Sequence, residues 1–86
     1  MDKQEFINFL QTGSAHKLIK DTYGNYKGEK KDGTVIRYKI QPNSVRFERQ
    51  LNLRDKNEWR KVWSEYYSNL EINPESGHLR RIKKGN

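Results

Sequence analysis

Apolar residues recur in this chain at two different periods, and the changes of period mark its elements. Phe6, Phe9 and Leu10, flanked by Ile7, fall at i, i+3 and i+4, which is one face of a helix. Asp2 and Glu5 form a D-x-x-E capping box ahead of them, and Gly13 is a natural stop. A helix is predicted over residues 3–12. Further on the period becomes two. Thr34 to Ile40 reads T-V-I-R-Y-K-I, and Val45 to Leu53 reads V-R-F-E-R-Q-L-N-L. Pro42–Asn43 between them suits a tight turn, because proline presets φ. If those two residues are the loop, Ile40 faces Val45, Lys39 faces Arg46, Tyr38 faces Phe47 and Arg37 faces Glu48. Ile36, Tyr38, Ile40, Val45, Phe47 and Leu51 then share one face. Arg37, Lys39, Arg46, Glu48 and Gln50 share the other. A slip of one residue destroys this sorting, so the register is specified by the sequence. Arg49 is the exception: it falls on the apolar parity and is expected near an edge.

The segments on either side carry weaker signals. Leu18 and Ile19 either extend a helical turn or begin a strand. Tyr23, Gly24, Asn25, Tyr26 and Gly28 favour an irregular strand with a bulge, and Asp32–Gly33 marks a hairpin turn. Asp55 and Glu58 repeat the capping-box spacing. Trp59, Val62, Trp63, Tyr66 and Leu70 follow at helical intervals, predicting a second amphipathic helix over residues 56–68. Asn73–Pro74 ends anything helical, and residues 74–77, P-E-S-G, form a turn. Leu70–Ile72 and Leu79–Ile82 flank it as a short hairpin, with residues 83–86 a loose tail. The expected fold is α+β: a three-stranded antiparallel sheet packed on two helices in the order α-β-β-β-α, with a short C-terminal hairpin or tail. Residues 1–86 form one domain.

Composition constrains the core. Only 31% of the residues are apolar, while 34% are charged. Such a core must be thin and aromatic, with Phe6, Phe9, Tyr38, Phe47, Trp59, Trp63 and Tyr66 as its expected mass. There is no cysteine, which excludes disulfides and thiolate metal sites and fits a reducing, cytoplasmic setting. No apolar run exceeds two residues, so no membrane span is expected. Usage rich in Lys, Asn, Ile and Tyr points to an AT-rich genome such as a phage or mobile element.

The net charge of +7 is uneven. Residues 25–54 carry a surplus of five positive charges and residues 74–86 a surplus of three, while the rest is near neutral. The excess therefore sits on the predicted sheet and the tail, and a positive face of this kind suits a polyanion. Arg37, Lys39 and Arg46 project together from neighbouring strands, with Lys27 and Lys30 joining from the preceding one. Arg80, Arg81, Lys83 and Lys84 form a basic arm. Tyr23 and Tyr26, beside Lys20 and Lys27, are placed to stack on bases. Against each stands a plainer reading: a solvated charged face, a solvated tail, tyrosines on a core edge. His16 and His78 are the only histidines, and they lie far apart in polar segments. No set of residues has metal-ligand spacing, and no phosphate loop, dinucleotide fingerprint or nucleophile elbow occurs.

The predicted order α-β-β-β-α resembles the double-stranded-RNA-binding fold and a class of small toxin ribonucleases. The resemblance rests on element order over residues 2–70, and no family motif accompanies it. Helix 2 would begin with acidic Asp55 and Glu58, and Gly13-Ser14-Ala15-His16 does not reproduce the toxin motif. The leading expectation is a non-catalytic nucleic-acid-binding module, for DNA or RNA, without cofactor or metal. The alternatives are a phage-type protein that occupies an acidic surface of a host defence protein, and a ribonuclease toxin using His16 or His78.

Overall fold

The structure is a computed structural model and describes residues 1–13, 17–51 and 57–82. It opens with helix α1 (Lys3–Thr12), followed by strands β1 (Leu18–Lys20), β2 (Tyr26–Glu29), β3 (Val35–Ile40), β4 (Ser44–Gln50) and β5 (Trp59–Tyr66). A 3-10 turn (Tyr67–Asn69) leads into β6 (Leu70–Ile72) and β7 (Leu79–Arg81). The first five strands form an antiparallel meander in chain order, and β6 and β7 form a separate two-stranded sheet.

Both ends of α1 follow from its sequence. The Asp2 carboxylate accepts from the Glu5 N–H at 2.8 Å, and the Glu5 carboxylate accepts from the Asp2 N–H at 3.2 Å. The helix stops at Gly13, whose N–H donates to the Phe9 carbonyl at 2.7 Å. Gly13 keeps φ at −115°, so its left-handed freedom is unused. The face bearing Phe6 and Leu10 lies on the sheet and forms a core with Tyr26, Val45, Tyr67 and Leu70.

The β3–β4 hairpin has the register that its alternation predicts. Ile40 pairs with Val45, Lys39 with Arg46, Tyr38 with Phe47 and Arg37 with Glu48. Tyr38 packs on Phe47 with ring centroids 4.7 Å apart, and Phe6 meets Tyr38 edge-on at 5.7 Å. The β2–β3 turn is also as expected: Gly33 has φ of +88°, and the Thr34 N–H donates to the Asp32 carboxylate at 2.9 Å. Gly28 marks a close approach rather than a bulge. A Cβ there would lie 2.6 Å from the Lys17 carbonyl oxygen.

Two helices on a three-stranded sheet is not the architecture. Among the described residues there is one α-helix, and the main sheet has five strands. Residues Leu18–Lys20 extend the sheet as a strand, and the segment expected as helix 2 is strand β5. Its W-R-K-V-W-S-E-Y sequence is rich in aromatic and β-branched residues, which favour strands. The helical spacing does not correspond to one face of this strand, which carries a bulge. Phe47 pairs with Trp63 but Glu48 pairs with Lys61, leaving Val62 without a partner on β4. One inserted residue shifts the strand's phase, so Trp59 and Trp63 fall on opposite faces although both lie at odd positions. Asp55 of the expected second capping box lies outside the described residues.

The core changes accordingly. Phe6, Tyr38, Phe47 and Trp63 do pack ring against ring, though Trp63 does so from a strand and not a helix, and Phe9 packs at the margin. Tyr66 is 62% exposed and Val62 49%, and Trp59 stands on the sheet's other face. Tyr67, which lies off the helical stripe, is buried instead at 3%. Its hydroxyl donates to the Gln41 carbonyl at 2.8 Å, and its N–H donates to the Asn43 carbonyl at 3.1 Å. These bonds tie the 3-10 turn to the β3–β4 turn. The C-terminal hairpin is present, with Leu70 opposite Arg81 and Ile72 opposite Leu79.

Candidate functional site

The sheet has two unlike faces. Alternation and register place Tyr26, Tyr38, Phe47 and Trp63 in one row on the face that bears α1, across β2, β3, β4 and β5. The neighbouring row on the opposite face reads Lys27, Arg37, Glu48, Lys61. A second row there contains Lys39, Arg46 and Ser64. Five cations thus stand on four adjacent strands, arranged around one carboxylate.

Glu48 organises this face. Although it is on the side away from α1, it is only 4% exposed. Its Oε1 accepts from Arg37 Nε at 2.9 Å and from the terminal Arg37 nitrogen at 2.6 Å. Its Oε2 lies 2.9 Å from Arg46 Nε. That last contact is electrostatic, because the N–H is not directed at the oxygen and Arg46 Nε has no hydrogen-bond acceptor. Arg37 also lies over Trp59, its guanidinium carbon 4.1 Å from the ring centroid, and Lys27 Nζ is 5.7 Å from the same centroid. Arg37 against Trp59 would contradict the hairpin register if Trp59 were a core residue. The contact instead occurs on the outer face, and the register stands.

This network makes two of the cations structural. A carboxylate buried beneath two guanidiniums is satisfied only while both remain. Replacing Arg37 or Arg46 therefore disturbs the sheet, although both side chains point away from α1. Lys27, Lys39 and Lys61 have no carboxylate partner among the described residues. They are the cations available to a ligand.

The other expected site residues are dispersed. Tyr26 is 2% exposed and belongs to the core, with its hydroxyl accepting from Gln11 Nε2 at 3.1 Å. It cannot stack on a base, because α1 covers it. Tyr23, in the turn before β2, is 88% exposed. Lys30 follows β2 rather than lying in it, and lines a groove on the helix side of the sheet. Arg80 pairs with Glu71 at 2.8 Å and Arg81 with Glu65 at 3.3 Å, so the first two residues of the supposed arm are engaged in the fold. Lys83, Lys84 and His16 lie outside the described residues. His78 sits exposed at the turn before β7.

Sequence reasoning missed Lys61, Trp59 and Arg60, since all three fall in the segment assigned to a helix. The signal that would have found them is the strand preference of Trp, Val, Trp and Tyr. Among the described residues no group of three His, Cys, Asp or Glu side chains is placed to hold a metal ion. No helix there is long and apolar enough to cross a membrane. The perturbed titrations are mainly those of packed groups: burial pushes the Tyr38 phenol up to about 12 and also raises that of Tyr67. The Asp32 carboxyl is lowered by its hydrogen bonds from Thr34. No family model, curated protein or solved structure matches this chain.

Proposed function

We propose that the protein is a small non-catalytic nucleic-acid-binding module that holds a phosphate backbone on the face of the sheet opposite α1. The observation that carries this reading is the pair of rows Lys27–Arg37–Glu48–Lys61 and Lys39–Arg46–Ser64. Phosphates repeat along a backbone, and a surface that binds them needs several cations at fixed separations. A rigid antiparallel sheet supplies those separations. Glu48 holds the two arginines in place, and the three lysines around them remain free to pair with phosphate. Trp59 adds an aromatic surface beside Lys27 and Arg37, the combination that single-stranded nucleic acid uses for stacking.

The test is a titration against DNA and RNA at several salt concentrations. About four phosphate contacts give a log–log slope near −3.6 on duplex DNA. The triple variant Lys27→Gln, Lys39→Gln, Lys61→Gln should flatten that slope by about three contacts while its melting curve stays close to the wild type. Absence of binding to either nucleic acid at low salt would overturn the proposal. Tight, salt-tolerant binding to an acidic protein surface would then become the leading reading.

A further inference from the structure

The helix does not cover the whole of its side of the sheet. Beyond it, between the β2–β3 turn and the bulged edge strand, lies a groove of about 430 Å³. Phe47 and Val62 give it an apolar patch beside the buried Ile36, and Lys30, Arg49 and Arg60 supply cations. Asp32 is the one carboxylate in its lining, and it is hydrogen-bonded to the Thr34 N–H. Arg49 and Arg60 are direct cross-strand partners on β4 and β5. Neither has an ion-pair partner among the described residues.

Two arginines facing each other across a strand pair are unfavourable, because like charges directly opposite repel. Arg49 also occupies a place in the alternation where an apolar residue would extend the covered face. The other arginines among the described residues have carboxylates: Arg37 and Arg46 have Glu48, Arg80 has Glu71 and Arg81 has Glu65. The pair at Arg49 and Arg60 lacks such a group, and a doubly charged anion between them would supply it. A phosphate monoester approaches two negative charges near neutral pH and offers three acceptor oxygens, whereas a backbone diester carries one charge. Guanidinium forks match such a group in geometry as well as charge. The apolar patch at Phe47 and Val62 suits one side of a flat, weakly polar ring, and the volume lies within the range of about 300–1,000 Å³ usual for small-ligand sites.

We infer that this groove binds a nucleotide through its phosphate monoester, held between Arg49 and Arg60, with the base against Phe47. Such a group is supplied by the phosphorylated end of a strand or by a free mononucleotide. The strand-end form rests on the nucleic-acid reading of the opposite face. Lys61 connects the two surfaces, since its backbone stands opposite Glu48 in the β4–β5 register and the residue also lines the groove. A strand crossing the outer face can therefore turn round the β5 edge and place its end here.

The experiment compares oligonucleotides of one sequence ending in hydroxyl, 5′-phosphate or 3′-phosphate, together with adenosine monophosphate alone, titrated against the full chain and against Arg49→Gln and Arg60→Gln. The expected result is about tenfold tighter binding of one phosphorylated end over the hydroxyl end. That preference should grow as pH rises through about 6, where the monoester loses its second proton. Each variant should abolish the preference and leave hydroxyl-end affinity within about twofold of wild type. Melting curves for both variants show that loss of preference is not loss of fold. Adenosine monophosphate bound in an Arg49-dependent manner without oligonucleotide binding supports the groove and refutes the outer-face reading. Oligonucleotide binding indifferent to the terminal phosphate, or a preference unchanged in both variants, overturns the groove and leaves the outer-face reading intact. No binding of any of these probes overturns both.

Discussion

The two faces of the five-stranded sheet are held in place by different physics. Under α1, order comes from area: Phe6, Val45, Leu70 and Tyr26 are buried by one another and by the helix. On the outer face order comes from one carboxylate, since Glu48 fixes Arg37 and Arg46 and Arg37 lies against Trp59. The first kind of order is non-directional and tolerates small shifts. The second depends on geometry, and it leaves a cationic surface rigid without covering it. On the proposed binding face, that arrangement would order Arg37 and Arg46 before a ligand arrives.

The contrast predicts a hierarchy of effects, with the apolar side dominant. Phe6 is fully buried and contacts the rings of Phe9, Tyr38 and Tyr67. Phe6→Ala should cost about 3–5 kcal/mol, a large share of the stability of a domain of this size. Denaturant unfolding monitored by tryptophan fluorescence measures it. A loss below about 1 kcal/mol would mean that α1 does not hold the sheet.

The next effect is also on the covered side and appears with pH. Burial raises the Tyr38 phenol to about 12, while in the unfolded chain it titrates near 10. The folded state thus disfavours the phenolate. Its contribution is fully present below about pH 10 and is lost as pH rises through about 12, amounting to roughly 2–3 kcal/mol. Tyr67 shifts in the same direction by burial, so Tyr38→Phe should reduce the alkaline loss without removing it. Thermal melts between pH 8 and pH 12 compare the two proteins. A Tyr38→Phe variant that loses stability at the wild-type rate would show that the phenol is not held away from water.

How much of this was legible follows the same division. Helix α1 and the β3–β4 hairpin were readable because their signals are local: a capping box, a stop, and two alternating runs about Pro42–Asn43. The rows on the two faces of β3 and β4 followed from those runs. Strand β5 was not readable, because Trp59, Val62, Trp63 and Tyr66 happen to fall at helical intervals and the bulge at Val62 breaks the alternation that would mark a strand. Lys61 and Arg60, which complete the outer face and the groove, were hidden with it. The burial of Tyr26 is a tertiary fact, since only the placement of α1 over β2 covers that ring. The charge of Arg80 and Arg81 was visible, but their partners Glu71 and Glu65 depend on the hairpin and on the fold of β5.

On the outer face the expected effects are smaller and unequal. Arg37→Gln leaves Glu48 buried with Arg46 alone, and should cost about 2 kcal/mol. Glu48→Gln leaves two guanidiniums that are 21% and 43% exposed and can recover water, and should cost about 1 kcal/mol. The double variant should cost less than the two single changes added together, because each removes the other's penalty. Strict additivity would mean that the pair is not coupled and that Glu48 does not organise the face.

The smallest effect has the opposite sign, and it separates a face ordered for stability from one kept for binding. Arg49 and Arg60 oppose each other on β4 and β5 without a carboxylate between them among the described residues. Their side chains are exposed, so water and salt screen the repulsion and its cost is modest. Arg60→Thr removes the like-charge pair and puts a strand-favouring residue on the edge, and should raise stability by about 0.5 kcal/mol at low salt. The gain should shrink as salt is added, since screening relieves the wild type but has little to act on in the variant. Phosphate should act in the same direction but at far lower concentration than chloride, if the two guanidiniums hold it between them. A wild type that is stabilised equally by phosphate and by chloride at matched ionic strength, with no difference from Arg60→Thr, would reduce the pair to ordinary surface charge.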